Sequence, residues 1–104
     1  MALASPAEPA KRDTRNVFIT TDANWQGDHA NIPFGNNVVY SWVNNVEPWF
    51  GENVGPGSIG PDPGVCCILY ANDGVTQSGT ICNPGDSDLT GYWQFNTNLI
   101  KCWW

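Results

Sequence analysis

The chain has 104 residues, room for one small domain, and carries four Lys and Arg against ten Asp and Glu for a net charge of −6. So few cations exclude a phosphate-reading nucleic-acid surface and electrostatic attachment to anionic lipid. A body this small buries a modest core and usually needs covalent staples.

The first twelve residues read as processing signals. Residues 2–4 (ALA) have the small-x-small form of a signal-peptidase site. The apolar stretch that normally precedes such a site is missing, so Met1 reads as a start placed at the end of a trimmed signal peptide. Residues 5–10 are rich in Pro and Ala and suit no core. Lys11 and Arg12 then form a dibasic pair of the kind cut by kexin-like proteases of the fungal secretory route. Cleavage after Arg12 would leave residues 13–104 as a single β domain, with two basic residues against nine acidic ones. No stretch approaches the roughly 20 apolar residues of a membrane span. The expectation is a secreted, extracellular monomer without a transmembrane segment.

From residue 13 onward the pattern is all-β. No window keeps apolar residues at helical spacing over three turns. Short runs of β-branched and aromatic residues lie between Gly, Pro, Asn and Asp punctuation at 16–21, 37–43, 65–70, 79–82 and 98–103. Residues 49–63 are dense in Gly and Pro and read as an ordered connector. Several short strands so punctuated predict a small β-sandwich or barrel. Residues 17–27 and 67–79 also look alike, each a strand running into a polar turn, an apolar residue and a glycine, which hints at internal duplication.

Residues 20–27 (TTDANWQG) resemble the folded-hairpin signature of βγ-crystallin-like domains, an aromatic, four residues, a second aromatic, one residue and Gly. Trp25 and Gly27 match, while Thr20 stands where the first aromatic belongs. In the second half Tyr70 supplies that aromatic, but Val75 replaces the later one and Gly79 lies further on. Residues 85–89 (GDSDL) are similar to the family's Gly-x-x-Asp-Leu step, and residues 96–102 to its closing strand. The resemblance implies two Greek keys. Secreted microbial members of that superfamily include killer toxins and inhibitors, so the resemblance also implies an extracellular antagonist.

Cys66, Cys67, Cys82 and Cys102 make an even set in a short chain and predict a disulfide framework. Neighbours on a strand point to opposite faces, so Cys66 and Cys67 are not expected to bond to each other. That leaves 66–82 with 67–102, or 66–102 with 67–82. The spacing lacks Cys-x-x-Cys and His29 is the one histidine, so no zinc site is expected.

Little in the chain points to catalysis. His29 is the one candidate imidazole and reads as solvated, and no nucleophile elbow or phosphate-cradling loop occurs. Asp86 and Asp88 read as turn residues rather than a glycosidase pair. The nearest match to a calcium motif, residues 36–41 (NNVVYS), carries Tyr40 where Ser or Thr belongs, so no metal is expected. The reading is no enzyme and no cofactor.

Six tryptophans remain as the handle. Trp42 and Trp93 are expected in the core and Trp25 over its hairpin. Trp49 and Phe50 adjoin the Gly/Pro connector, and Trp103 and Trp104 cannot both enter one core from one strand. These four are the candidate binding residues, with a host cell-surface protein or glycan as the expected partner. The functional expectation is a fungal effector or elicitor that induces plant defence or cell death. An antimicrobial or killer-type toxin and a carbohydrate-binding module are the alternatives.

Overall fold

Alternation of side chains builds the first hairpin. In β1 (Thr14–Asp22) Val17 and Ile19 point inward and are buried, while Phe18 faces out and is half-buried. β1 pairs antiparallel with β2 (Gln26–Gly35) from Thr14 opposite Gly35 to Asp22 opposite Gln26, with an irregularity between Thr20 and Asp22. The turn between them uses left-handed backbone at Asn24, Trp25 and Gly27. A Cβ on Gly27 would meet Thr21 Oγ1 at 2.4 Å, so this position requires glycine. Trp25 folds back over the sheet. Its ring lies 6.2 Å from Phe18 and would stand 3.2 Å from a Cβ at Gly60.

The computed structural model describes residues 14–51 and 53–104. The processing expectation, with Lys11 and Arg12, lies outside them. Further along the chain come β3 (Val38–Ser41), β4 (Ser58–Pro61), β5 (Cys66–Ala71), β6 (Ile81–Cys82) and β7 (Thr97–Trp103). They form two antiparallel sheets, ordered β2-β1-β4 and β3-β7-β5-β6. The fold is all-β, double-sheeted and disulfide-stapled, as the strand pattern predicts.

The connectivity is a repeat. In the first unit β4 returns beside β1, the Greek-key return, while β3 crosses to the other sheet and pairs with β7. In the second unit β7 returns beside β5. Its third segment crosses back, where Asp86 and Ile59 exchange backbone hydrogen bonds of 2.9 and 3.0 Å along β4. Each unit therefore completes the other's sheet. A Cβ on Gly85 would meet the Ile59 carbonyl oxygen at 2.1 Å, so that crossing segment lies against β4 only because residue 85 has none.

The core fills the space between the sheets. Val17, Ile19, Ile32 and Phe34 of the first sheet meet Cys67, Leu69, Ile100 and Cys102 of the second, with Trp42, Val46 and Leu89 entering from the connectors. The disulfides are Cys66–Cys82 and Cys67–Cys102, each between residues directly opposite on neighbouring strands. One bridge lies on the outer face and the other is buried in the core, as adjacent residues on a strand require. Two such bridges in a small body are compatible with an extracellular location. Among the described residues no helix is long and apolar enough to cross a membrane.

Two strands lie where the pattern did not place them. β2 holds Gly27, Asp28, Asn31 and Pro33, residues that read as punctuation, yet it is a ten-residue edge strand where such residues are tolerated. β4 lies inside the Gly/Pro segment 49–63, which is thus a connector followed by a strand. The predicted strand 37–43 stops at Ser41, because Trp42–Val46 winds into a π-helical turn.

Candidate binding cleft

The two long connectors, residues 42–57 and 88–96, meet at one end of the sandwich. The Ser41 side chain accepts from Asn44 N at 3.2 Å and starts the first connector's turn. A 3-10 turn, Glu47–Trp49, follows with Pro48 in its first positions. The loop is closed at Val54, where both backbone groups are held. Trp42 Nε1 donates to the Val54 carbonyl at 2.7 Å, and Val54 N donates to Glu47 Oε2 at 3.0 Å. Trp42 is buried, and Phe50 stacks on it with ring centroids 6.5 Å apart.

The second connector docks through Gln94. Its Nε2 donates to the Thr21 carbonyl at 2.7 Å and its N to the Leu89 carbonyl at 2.9 Å. The backbone of Gly55 approaches so closely that a Cβ there would stand 1.4 Å from the Gln94 carbonyl oxygen. The tip of the β5–β6 connection joins them, Asn72 N donating to the Asn96 carbonyl at 2.9 Å.

Between these three segments opens a cleft of about 270 Å³. Its walls include Trp42, Glu47, Asn53, Asn72, Gln94 and Phe95. The side-chain amides of Asn53 and Asn72 make no hydrogen bond among the described residues, and Gln94 Oε1 accepts none. Glu47 uses one carboxylate oxygen for Val54, leaving the other without a partner there. Phe95 is 75 % exposed and Val43, also in the wall, 59 %. Trp49 and Tyr92 on the same two connectors are 52 % and 44 % exposed. The cleft thus combines unpaired amides with exposed aromatic surface.

The predicted binding residues divide between two ends of the molecule. Trp49 is exposed on the first connector, outside the residues that line the cleft, and Phe50 stacks on Trp42 in the cleft wall. Trp103 and Trp104 close the far end of β7, about 20 Å of strand from Thr97 in the cleft wall. Both are half-buried. Trp104 packs on the core, donates its backbone N–H to Asn36 Oδ1 at 3.0 Å, and carries the Arg15 guanidinium 5.4 Å over its ring. Lys101 Nζ lies 5.8 Å over Trp103. Those contacts tie the terminus down.

Trp42 is a core residue as expected, Trp93 packs half-buried against the core, and Trp25 covers its hairpin. Asn53, Asn72, Gln94 and Phe95 were not singled out from the sequence. Their one signal is Phe95, a large apolar residue set between Gln94 and Asn96 just before a strand.

The remaining candidates stand away from the cleft. His29 is exposed and lies 5.6 Å from the Phe18 ring on the outer face of the first sheet. Asp86 Oδ1 accepts from Asp88 N at 2.9 Å, and Asp88 Oδ1 accepts from Thr90 N and Oγ1 at 3.0 and 2.5 Å, so this pair shapes a turn. The Thr90 hydroxyl and amide hold the Asp88 carboxyl below the usual carboxylate range. Thr76, with Val75 N, does the same for Asp73. In the calcium-like run, Asn36 Oδ1 accepts from Trp104 N and Ser41 Oγ from Asn44 N. Comparison of the chain with protein-family models, curated proteins and solved structures gives no match.

Proposed function

We propose that this protein is a secreted effector or elicitor that acts outside the cell by binding a host surface component, without catalysing a reaction. The observation that carries the reading is the connector end, where Phe95 stands exposed in the wall of a cleft whose Asn53 and Asn72 amides have no partner among the described residues, and where Trp49 and Tyr92 are exposed on the same two connectors. Large aromatics held in water by a rigid frame are the common anchors of recognition surfaces. The frame is rigid for a reason legible in the chain, two disulfides crossing directly paired strands of one sheet. The exchange of third segments between the two units supports kinship with βγ-crystallin-like domains, whose secreted microbial members include antagonists of other cells. The acidic charge, −6, weighs against a membrane-attacking toxin.

The test is infiltration of the purified chain into plant leaves, beside a reduced and alkylated control. Defence induction or cell death from the disulfide-intact protein alone is expected. A blank from both samples overturns the elicitor reading.

A further inference from the structure

We propose that the connector cleft binds one ring of a neutral, gluco-configured pyranose chain, with Phe95 as the stacking platform. This deepens the reading above and rests on the connector end being the working surface.

The chemistry follows from the walls. A β-linked gluco-configured ring carries its hydroxyls equatorially, so its faces present only C–H bonds. Such a face suits the electron-rich face of an exposed phenyl ring. The ring's edge presents hydroxyls that both donate and accept, and it needs partners that do the same. Among the described residues nothing pairs with the side-chain amides of Asn53 and Asn72, the Gln94 side-chain carbonyl oxygen or one Glu47 carboxylate oxygen, so these groups can supply that edge. These groups come from three separate segments, so the constellation belongs to the fold and not to one turn.

Size and charge narrow the class. At about 270 Å³ the cleft falls just below the roughly 300 Å³ at which ordinary ligand pockets begin, so it takes one ring, with the chain continuing over Phe95. Among the described residues lining it the one charged side chain is Glu47, and the whole chain is acidic. Uronic and sulfated sugars are therefore repelled and neutral ones accepted. Trp42, pinned by its bond to Val54, gives the cleft a floor that does not have to order on binding.

The test is a nitrogen-15 NMR titration of the full chain with cellotetraose and with the tetramer of N-acetylglucosamine, beside an oligogalacturonate. Saturable shifts of the side-chain amides of Asn53, Asn72 and Gln94 with at least one neutral sugar are expected, and none with the anionic one. Phe95→Ala should weaken that binding about tenfold, the loss of one aromatic contact, with the rest of the spectrum unchanged because the ring is exposed. Asn72→Ala, on a different segment, should weaken it as well. No shift at several millimolar of either neutral sugar, shifts confined to the Trp103–Trp104 end, or equal binding of the oligogalacturonate would each overturn the inference. Leaf infiltration of the unsubstituted chain separates the two readings. Elicitation without sugar shifts overturns the sugar site alone, and sugar shifts without elicitation overturn the elicitor function alone.

Discussion

Two kinds of residue carry measurable consequences here. Gly55 has an ordinary backbone but no room, since its Cβ would overlap the Gln94 carbonyl oxygen at 1.4 Å. Gly55→Ala must push the two connectors apart, and overpacking of that kind costs about 1–3 kcal/mol. A lowered midpoint in guanidinium unfolding with an unchanged slope is the expected result, with weaker binding at the cleft. Asp73 and Asp88 act through pH instead. Hydrogen bonds to their ionised forms hold both carboxyls below the usual range in the folded protein. A depressed folded pKa contributes stability that is full above the unfolded value of about 3.9 and fades as pH falls through the folded one. Asp73→Asn and Asp88→Asn, which mimic the protonated state, should therefore lower Tm at neutral pH. The gap to the parent protein should close in acid, as the parent carboxyls take up protons. Both groups are exposed, so the differences will be small and best read by calorimetry at several pH values.

At the level of strands, the disulfides separate geometry from chain entropy. The two bridges span 16 and 35 residues. Loop closure alone favours the longer by about 0.7 kcal/mol. Cys67 and Cys102 are also fully buried between the sheets, whereas Cys66–Cys82 lies on the outer face. Replacing Cys67 and Cys102 by alanine should thus destabilise the protein by more than that margin relative to replacing Cys66 and Cys82. Denaturant midpoints of the two double variants decide it, and a difference no larger than about 0.7 kcal/mol would mean that burial of the inner bridge contributes nothing. The five predicted strands are legible because each is apolar on at least its inner face. β2 is illegible because an edge strand needs few buried residues, here Ile32 and Phe34, and can hold Pro and Asn. β4 hides for another reason. Its Gly60 and Pro61 look like turn residues, yet Gly60 is the flat ground on which the Trp25 ring rests. Local composition cannot announce that role, which depends on a hairpin 35 residues earlier.

Across the whole molecule, the cleft and the anchored Trp103–Trp104 pair occupy opposite ends. Trp49 and Phe50 could be picked out locally, because an aromatic pair before a Gly/Pro-rich stretch stands in a loop. Asn53, Asn72, Gln94 and Phe95 could not, because they meet only after each unit has lent its third segment to the other's sheet. The same topology sends the terminal tryptophans away from the cleft, onto Asn36, Arg15 and the core. This division predicts opposite phenotypes. Trp104→Ala removes a half-buried indole and a cation contact, which should lower stability by about 2 kcal/mol and leave elicitation of the still-folded protein intact. Trp49→Ala removes a ring that is 52 % exposed, so Tm should stay within about 1 °C of the parent while leaf activity falls. Thermal melts and infiltration on the two variants give the comparison. If Trp104→Ala silences the protein at a temperature where it is folded, the terminal pair is the recognition surface and the cleft is only a fold in the connectors.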